Sequence, residues 1–460
     1  MASSTENSSV KKLAIRGALW TIVGFGAGNI VRFISNLILT RLLAPELFGL
    51  MALIYAFITG LHMFSDVGIG VSIIQNKRGD EREFLNTAWT IQVVRGVLIW
   101  IGCFFLAHFV AFVYKDPRFL WLLPVVGLNT VITGFTFTAI FSLNRHLSIK
   151  EVALFELSGQ IVGIVVMITW AFFHRSVWAL VAGGIASSVY QVWMSYRLSK
   201  GKPNRFAWDK SAARELISFG AWIFLTTAIT FLGEQADRLI LGKVLIQDLG
   251  ETAGLTLLGV YGIALTFAEL PRAVTNALNG KVMMPAFSKI IDQPRSEVRT
   301  KVGRKRKYIL VLMALAVALM VCMGDVIIKT LYDSRYSQAA WMLPILVLGL
   351  WPRLMCNTNE ALLFAIGRPQ YTAGANFTRF VCTSVGIYVG YNLFGMPGAV
   401  VGVALNDLCY HLVINWGLWR EGLGNVKQDI LASGILFAVL AVLLSIRQAL
   451  GFGLPIDTMF

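Results

Sequence analysis

LILTRLL, residues 37–43, returns with small changes as LILGKVL at residues 239–245. Each copy closes a long apolar stretch that starts on a Gly-Ala pair, Gly17-Ala18 and Gly220-Ala221, and soon meets a tryptophan, Trp20 and Trp222. Each is followed by a short linker and a further apolar stretch containing FGLMAL or LGVYGIAL. A chain that writes one line twice, near the start and again past the middle, has the pattern of two related halves.

Composition says what solvates those halves. Of 460 residues 56% are hydrophobic and only 14% charged, and the mean hydropathy is +0.68. Soluble proteins carry about 25% charged residues, so most of this apolar surface must meet lipid. Apolar runs of about 20 residues, the length that crosses a bilayer as a helix, recur along the whole chain. They are expected at 17–40, 47–74, 86–112, 118–141, 151–173, 177–197, 215–242, 254–284, 308–330, 338–365, 371–393, 397–418 and 429–446. The opening MASSTENSSVKK lacks a signal-peptide core, and the first apolar run is read as helix rather than leader.

Lysines and arginines set the orientation. With the N-terminus in the cytoplasm, inside segments hold 25 of them and outside ends 8. The C-terminus is then outside if the thirteenth span is real. The formal charge of +15 is mostly this topology signal. GRKRK (303–307) reads as a positive-inside anchor near anionic headgroups; no nucleic-acid motif accompanies it. The five cysteines, Cys103, Cys322, Cys356, Cys382 and Cys409, sit in apolar spans and read as small buried hydrophobes.

The expected fold is therefore an all-α polytopic membrane protein: two six-helix lobes related by a pseudo-two-fold along the membrane normal, plus a thirteenth C-terminal helix. The lobes are expected at 1–198 and 215–420, with a basic linker at 199–214 acting as hinge and the extra helix within 421–460. Both copies of the repeated line start inside, because six spans separate them, and the repeat is parallel. Two halves around one pathway are a common transporter plan. Apolar helices also resemble one another by chance, but the shared Gly-Ala, Trp and LIL-x-(Arg/Lys)-x-Leu placement argues against that.

Seven basic residues fall inside spans: Arg32, Arg95, Arg238, Arg272, Lys281, Arg353 and Arg379. An arginine at mid-bilayer costs at least roughly 2.5–3.5 kcal/mol, so such residues pair with acids or line a wet cavity. Acids are present in the spans too: Asp66, Glu156, Glu234, Asp237, Glu269, Glu360 and Asp407. Glu234 with Arg238 (i,i+4) and Glu269 with Arg272 (i,i+3) can each meet on one helix face. The Glu234, Asp237 and Arg238 cluster reads as a structural pin or outer gate, and Lys281 as a snorkelling residue. Arg32, Arg95, Arg272, Arg353 and Arg379 are the candidate substrate site. Guanidinium groups are forked, always charged and suited to diphosphate. The alternative for each is interhelical pairing with Asp66, Glu360 or Asp407.

RGALWTIVGFGAGNIVRFISNLILTRLLAPELFGLMALIYAF followed by FSDVGIGVSIIQNK resembles the opening of the polysaccharide-transport branch, the Wzx-type oligosaccharide flippases, of the multidrug/oligosaccharidyl-lipid/polysaccharide (MOP) exporter superfamily. The motif is Arg41-Leu42-Leu43-x-Pro45, Phe48-Gly49 and Asp66-x-Gly68. QADRLILGKVL (235–245), LGVYGIA (258–264) and KVMMPAFSKI (281–290) fit in the second half. The resemblance covers spans 1 to 12 and leaves the thirteenth outside. It implies movement of undecaprenyl-diphosphate-linked sugar units from the cytoplasmic to the periplasmic leaflet of a bacterial inner membrane, after which a polymerase builds exopolysaccharide, capsule or O-antigen. It does not carry individual cavity positions over.

Three other readings are weighed against this one. A multidrug antiporter of the same superfamily would bind organic cations and favour acids such as Asp66 or Asp407 over deep arginines. A peptidoglycan-precursor flippase usually has fourteen spans. A membrane polymerase, ligase or glycosyltransferase needs a large outer loop, whereas the longest outer connection here is about VLIQDLGETAG. The histidines have no metal spacing, and GIGVSIIQNKRG lacks the Gly-Lys-Ser/Thr ending of a phosphate loop. No cofactor or metal is expected, and the driving energy must come from a gradient or the membrane potential. Asp66, Glu360 and Asp407 are the candidate carriers of a coupling H+ or Na+.

Overall fold

The computed structural model describes residues 20, 24, 26–65, 68–145, 148–198, 203–278, 283, 287, 290 and 293–459. Every regular element among them is helical, and eight helices are long and apolar enough to cross a membrane. The protein is a multi-pass helical membrane protein. The chain divides into two compact units, Met1–Leu47 with Leu53–Ala228, and Phe48–Ala52 with Ile229–Phe460.

The first unit begins with α1 (26–42) and α2 (Pro45–Phe64). Pro45 starts α2 where a missing N–H costs nothing, and Glu46 in the first turn complements the helix dipole. The run expected at 47–74 is broken. α2 stops at Phe64, Gly68 takes a left-handed φ of 63°, and α3 (Ile69–Gln75) follows. α4 (Arg82–Tyr114) and α5 (Phe119–Gly134) pack closely. A Cβ on Gly96 would lie 2.4 Å from the Thr130 carbonyl oxygen, and the Thr130 hydroxyl donates to Gly96 O at 2.9 Å. Small residues let backbones approach where lipid supplies no hydrophobic drive. α6 (Ala139–Arg145), α7 (Ile149–Phe173) and α8 (Trp178–Leu198) complete the spans before the linker.

The linker expected to act as a hinge is tied down along its described part. Residues 203–209 form no regular element and run against α4. Asn86 Oδ1 accepts from Asn204 Nδ2 and Arg205 N, both at 3.2 Å. Ala207 N donates to Thr90 Oγ1, which donates back to Ala207 O. Asp209 N donates to Thr87 Oγ1 at 3.0 Å. Arg78 then clamps the start of α9 (Lys210–Leu249) through Asp209, Ser211 and Glu215. The Ser211 hydroxyl and N–H, with Arg78, hold the Asp209 carboxyl down at about 2.

In the second unit α9 continues into α10 (Glu251–Ala268), and Glu269 interrupts it before α11 (Leu270–Leu278), where Pro271 sits in the first turn. α12 (Arg295–Leu331) has 37 residues, about 55 Å at 1.5 Å per residue. That is nearly twice a hydrocarbon core of roughly 30 Å, and the basic N-terminal part is the excess. α13 (Ala339–Gly349) and α14 (Trp351–Ala365) break at Leu350, ahead of Pro352. α15 (Gln370–Arg420) joins two expected spans. Gly395, at φ 62° and ψ −145°, folds it back on itself. Its arms touch at glycines: a Cβ on Gly402 would meet Gly386 O at 2.3 Å, and one on Gly390 would meet Gly398 O at 2.2 Å.

The thirteenth span is α16 (Val426–Ala449), and buried ion pairs near both of its ends bind it to α12. Arg306 Nη2 lies 2.6 Å from Asp429 Oδ1. Arg447 is bidentate to Asp325, with both contacts at 2.6 Å, and it also donates to the backbone oxygens of Cys322, Phe452 and Gly453. Arg306 is fully buried, which corrects its reading as part of a headgroup anchor. It directly follows the exposed pair Arg304 and Lys305 but lies on the buried face of the helix, and its donors are taken by Thr358, Gln428 and the Met355 carbonyl.

Candidate functional site

The breaks at Glu269 and Leu350 matter because they turn charged side chains into the second unit. A cavity of ≈ 190 Å³ lies there, lined by Glu234, Gln235, Asp237 and Arg238 of α9, Glu269 and Arg272 at the α10–α11 break, and Arg379, Asn406 and Asp407 of the two α15 arms. The apolar part of its wall comes from α10, α13 and α15.

Arg272 is the most connected cation. Its Nη2 donates to Glu234 Oε1 at 2.6 Å and its Nη1 to Glu269 Oε2 at 3.1 Å. The local pairing expected between Glu269 and Arg272 is present. The pairing of Glu234 with Arg238 is not: Glu234 turns to Arg272, and Arg238 Nη1 donates to Gln235 Oε1 at 2.8 Å. A surface i,i+4 pair is worth only about 0.2–0.5 kcal/mol, so a 2.6 Å contact from α9 to the largely buried Arg272 of α11 outweighs it. Asp237 is buried and accepts from Tyr261 OH at 2.7 Å.

Arg379 Nε lies 3.0 Å from Asp407 Oδ1 and donates to Asn406 Oδ1 at 3.3 Å. Arg353 of α14 is 5% exposed and lies over the Tyr410 ring, 3.6 Å from its centroid. The hydroxyl of that tyrosine donates to Glu360 Oε1 at 2.8 Å. Arg353 has Arg272, Glu360 and Asp407 as electrostatic neighbours.

Among the described residues, four enclosed guanidinium nitrogens in this group have no acceptor: Arg272 Nε, Arg379 Nη1, and Arg353 Nε and Nη1. Buried donors are nearly always satisfied, and hydrogen bonds to charged groups are the strong ones. The arrangement can accept a multiply charged oxyanion, while carboxylates on the same walls keep the arginines in place.

The structure thus brings together Arg272, Arg353 and Arg379 with Glu234, Asp237, Arg238, Glu269, Glu360 and Asp407. It does not gather all five arginines in one unit. Arg32 is exposed on α1 of the first unit. Arg95, also in that unit, caps the broken end of α2, donating to His62 O at 2.8 Å and Ser65 Oγ at 3.0 Å, beside a cavity of ≈ 250 Å³. Asp66 and Lys281 lie outside the described residues. Tyr410, Gln235 and Asn406 escaped the reading of the sequence, because a polar side chain in an apolar run carries no sign of its partner. Asp325 and Asp429 were legible as acids beside or within apolar runs, yet went unremarked. Among the described residues no group of His, Cys, Asp and Glu is placed to hold a metal ion.

Residues 38–341 match the model of a family described as polysaccharide biosynthesis protein. The chain belongs to that family. This family member is 22% identical to the lipopolysaccharide biosynthesis protein WzxC of Escherichia coli strain K12, over 96% of this chain and 88% of that one. It is 20% identical to the succinoglycan biosynthesis transport protein ExoT of Rhizobium meliloti, over 95% and 86%. Its fold is similar to that of the lipid II flippase MurJ in an inward closed conformation, with a TM-score of 0.71 at 13% identity, covering 95% of this chain and 93% of that one. A solved transporter of the MOP superfamily has a similar fold as well.

Proposed function

We propose that this protein is a flippase that moves polyprenyl-diphosphate-linked oligosaccharide units across the bacterial inner membrane, by alternating access, for exopolysaccharide, capsule or O-antigen assembly. The observation that carries this reading is the near-full-length kinship with relatives named for polysaccharide biosynthesis and transport, on a fold shared with a lipid-linked precursor flippase. Arg272, Arg353 and Arg379 hold the diphosphate through the unanswered nitrogens. Glu234, Glu269 and Asp407 hold those arginines in position, and Glu360 orients Arg353 through Tyr410. Asp237 and Arg238 gate the same cavity.

The protein is a carrier rather than a polymerase or ligase, and a polymerase takes up its product. The N-terminus is cytoplasmic. The two lobes, 1–198 and 215–420, are repeats of one six-span plan. Coupling draws on H+ or Na+ through Asp66, Glu360 or Asp407, with each charge moved through 100 mV worth roughly 2.3 kcal/mol.

Deleting the gene in its source bacterium and measuring both secreted polymer and carrier-linked sugar tests the reading. Lost polymer, with carrier-linked units trapped on the cytoplasmic face, is expected. Unchanged polymer with new sensitivity to cationic drugs would instead make the protein a multidrug antiporter using the same acids.

A further inference from the structure

A second cleft in the second unit, ≈ 670 Å³, lies between α12 and α16 and is closed at one end by the last turn of α15. It shares no residue with the arginine cavity. One wall is a single stripe of α12: Arg299, Gly303 and Lys307 at four-residue spacing, which share a helix face, then Leu310 and Val311. The facing wall is a stripe of α16 with the same order, Lys427 first, then Leu431 and Ile435. Each wall is cationic at one end and apolar beyond it, and the two cationic ends face each other.

Arg299, Lys307 and Lys427 are exposed. Among the described residues none of the three has a carboxylate partner, and no acid lines the cleft. The floor is rigid: Gln428 Nε2 donates to Gly303 O at 2.7 Å, and Arg306 beneath it is ion-paired to Asp429. Asn425 at the cationic end has an enclosed Nδ2 with no acceptor among the described residues. Trp419 stands beside it, 71% exposed, in the role tryptophan takes at headgroup level.

We infer that this cleft binds an anionic membrane phospholipid. The phosphate sits among Arg299, Lys307, Lys427 and Asn425, and an acyl chain lies along Leu310, Leu431 and Ile435. Charge complementarity selects the headgroup, since a zwitterionic lipid brings a cation of its own to a site that has no acid to meet it. The apolar continuation selects a lipid over a free anion. The inference is independent of the transported substrate. It gives the thirteenth span a ligand-binding role that none of the first twelve could supply alone.

The test is native mass spectrometry of the intact chain released from detergent, with added dioleoyl phosphatidylglycerol, dioleoyl phosphatidylethanolamine or inorganic phosphate. One tightly retained phosphatidylglycerol is expected, at least tenfold preferred over phosphatidylethanolamine and undisturbed by millimolar phosphate. The triple variant R299Q/K307Q/K427Q should lose that preference. So should Leu431→Asp, which places a carboxylate on the cleft wall at an exposed position. R304Q/K305Q, which removes two exposed charges off the cleft, should keep it. Unchanged thermal unfolding shows that each variant is folded. Equal retention of both lipids, displacement by phosphate, or equal loss in R304Q/K305Q would overturn the inference.

Discussion

Arg353 lies over an aromatic ring with two nitrogens that no described residue answers, whereas Arg95 spends its donors on the end of a helix. Sequence alone ranked them equally. The prediction follows from the difference. Arg353→Gln should lower transport of the lipid-linked unit by about 10–100-fold, the equivalent of one charge-assisted hydrogen bond at about 1.5–3 kcal/mol. Arg353→Lys should not restore it, because an ammonium neither stacks nor forks. Arg32→Gln, at an exposed position outside the cluster, should cost less than threefold. Initial rates in reconstituted vesicles would decide, and a fully active Arg353→Gln variant would remove the anion site.

A second residue-scale prediction concerns acid. Asp209 is held at about 2 against an ordinary 3.8, so its folded form prefers the carboxylate. The stability it contributes is complete above the ordinary value and is lost as pH falls from about 4 towards 2. Pepsin cleavage within 203–211, scaled to an unstructured peptide, should rise across that window. In Asp209→Asn the rise should be absent. The charges in this protein were legible in the sequence because they interrupt apolar runs. Their pairings were not, since Arg272 meets Glu234 across 38 residues and Arg379 meets Asp407 across a hairpin.

At the scale of elements, helix positions were readable from hydropathy, although the expected runs 47–74, 254–284 and 338–365 pass unbroken through Gly68, Pro271 and Pro352, where the helices are interrupted. The fixing of α16 was less so. Its hydropathy announces a helix, but only the positions of Asp325 and Arg447, once folded, show that it belongs to the body of the protein. Breaking a buried pair leaves one uncompensated charge, at a cost of about 3–5 kcal/mol, whereas replacing both partners by apolar groups is often neutral. Asp325→Ala should therefore lower the unfolding temperature in detergent markedly. The double variant D325L/R447L should recover most of the loss. If the single variant melts like the parent, the pair holds nothing. The contact between the α15 arms makes a steric counterpart: Gly402→Val must push the arms apart, since its Cβ alone would lie 2.3 Å from Gly386 O.

For the whole molecule, the arginine and lysine bias is the observation that reaches furthest. From twenty-five basic residues on one side against eight on the other we propose that the N-terminus, the basic 295–307 segment and the 420–427 turn are cytoplasmic. With α16 crossing once more, a reporter enzyme active only outside the cytoplasm should work when fused after residue 460. It should fail when inserted at residue 305. Activity at both positions, or at neither, would reverse the orientation or remove a span. The helical class was legible because bilayer thickness sets a length that any apolar run must meet; thirteen spans were expected, and eight helices among the described residues are long and apolar enough to cross. The strapping of residues 203–209 was not, because a polar segment reads as loop whether or not Asn86, Thr87 and Thr90 are waiting for it.

The ion pair between Asp325 and Arg447 also has a consequence in time. The two residues are 122 positions apart, so at roughly 5–20 residues per second a nascent chain carries a lone acid in α12 for about 6–24 s before its partner is made. During that interval the ribosome-bound chain has an unfinished membrane helix, and any chain that terminates early keeps it. The arrival of α16 thus hides that acid, and chains that stop before Arg447 offer membrane proteases a charge that longer ones have hidden.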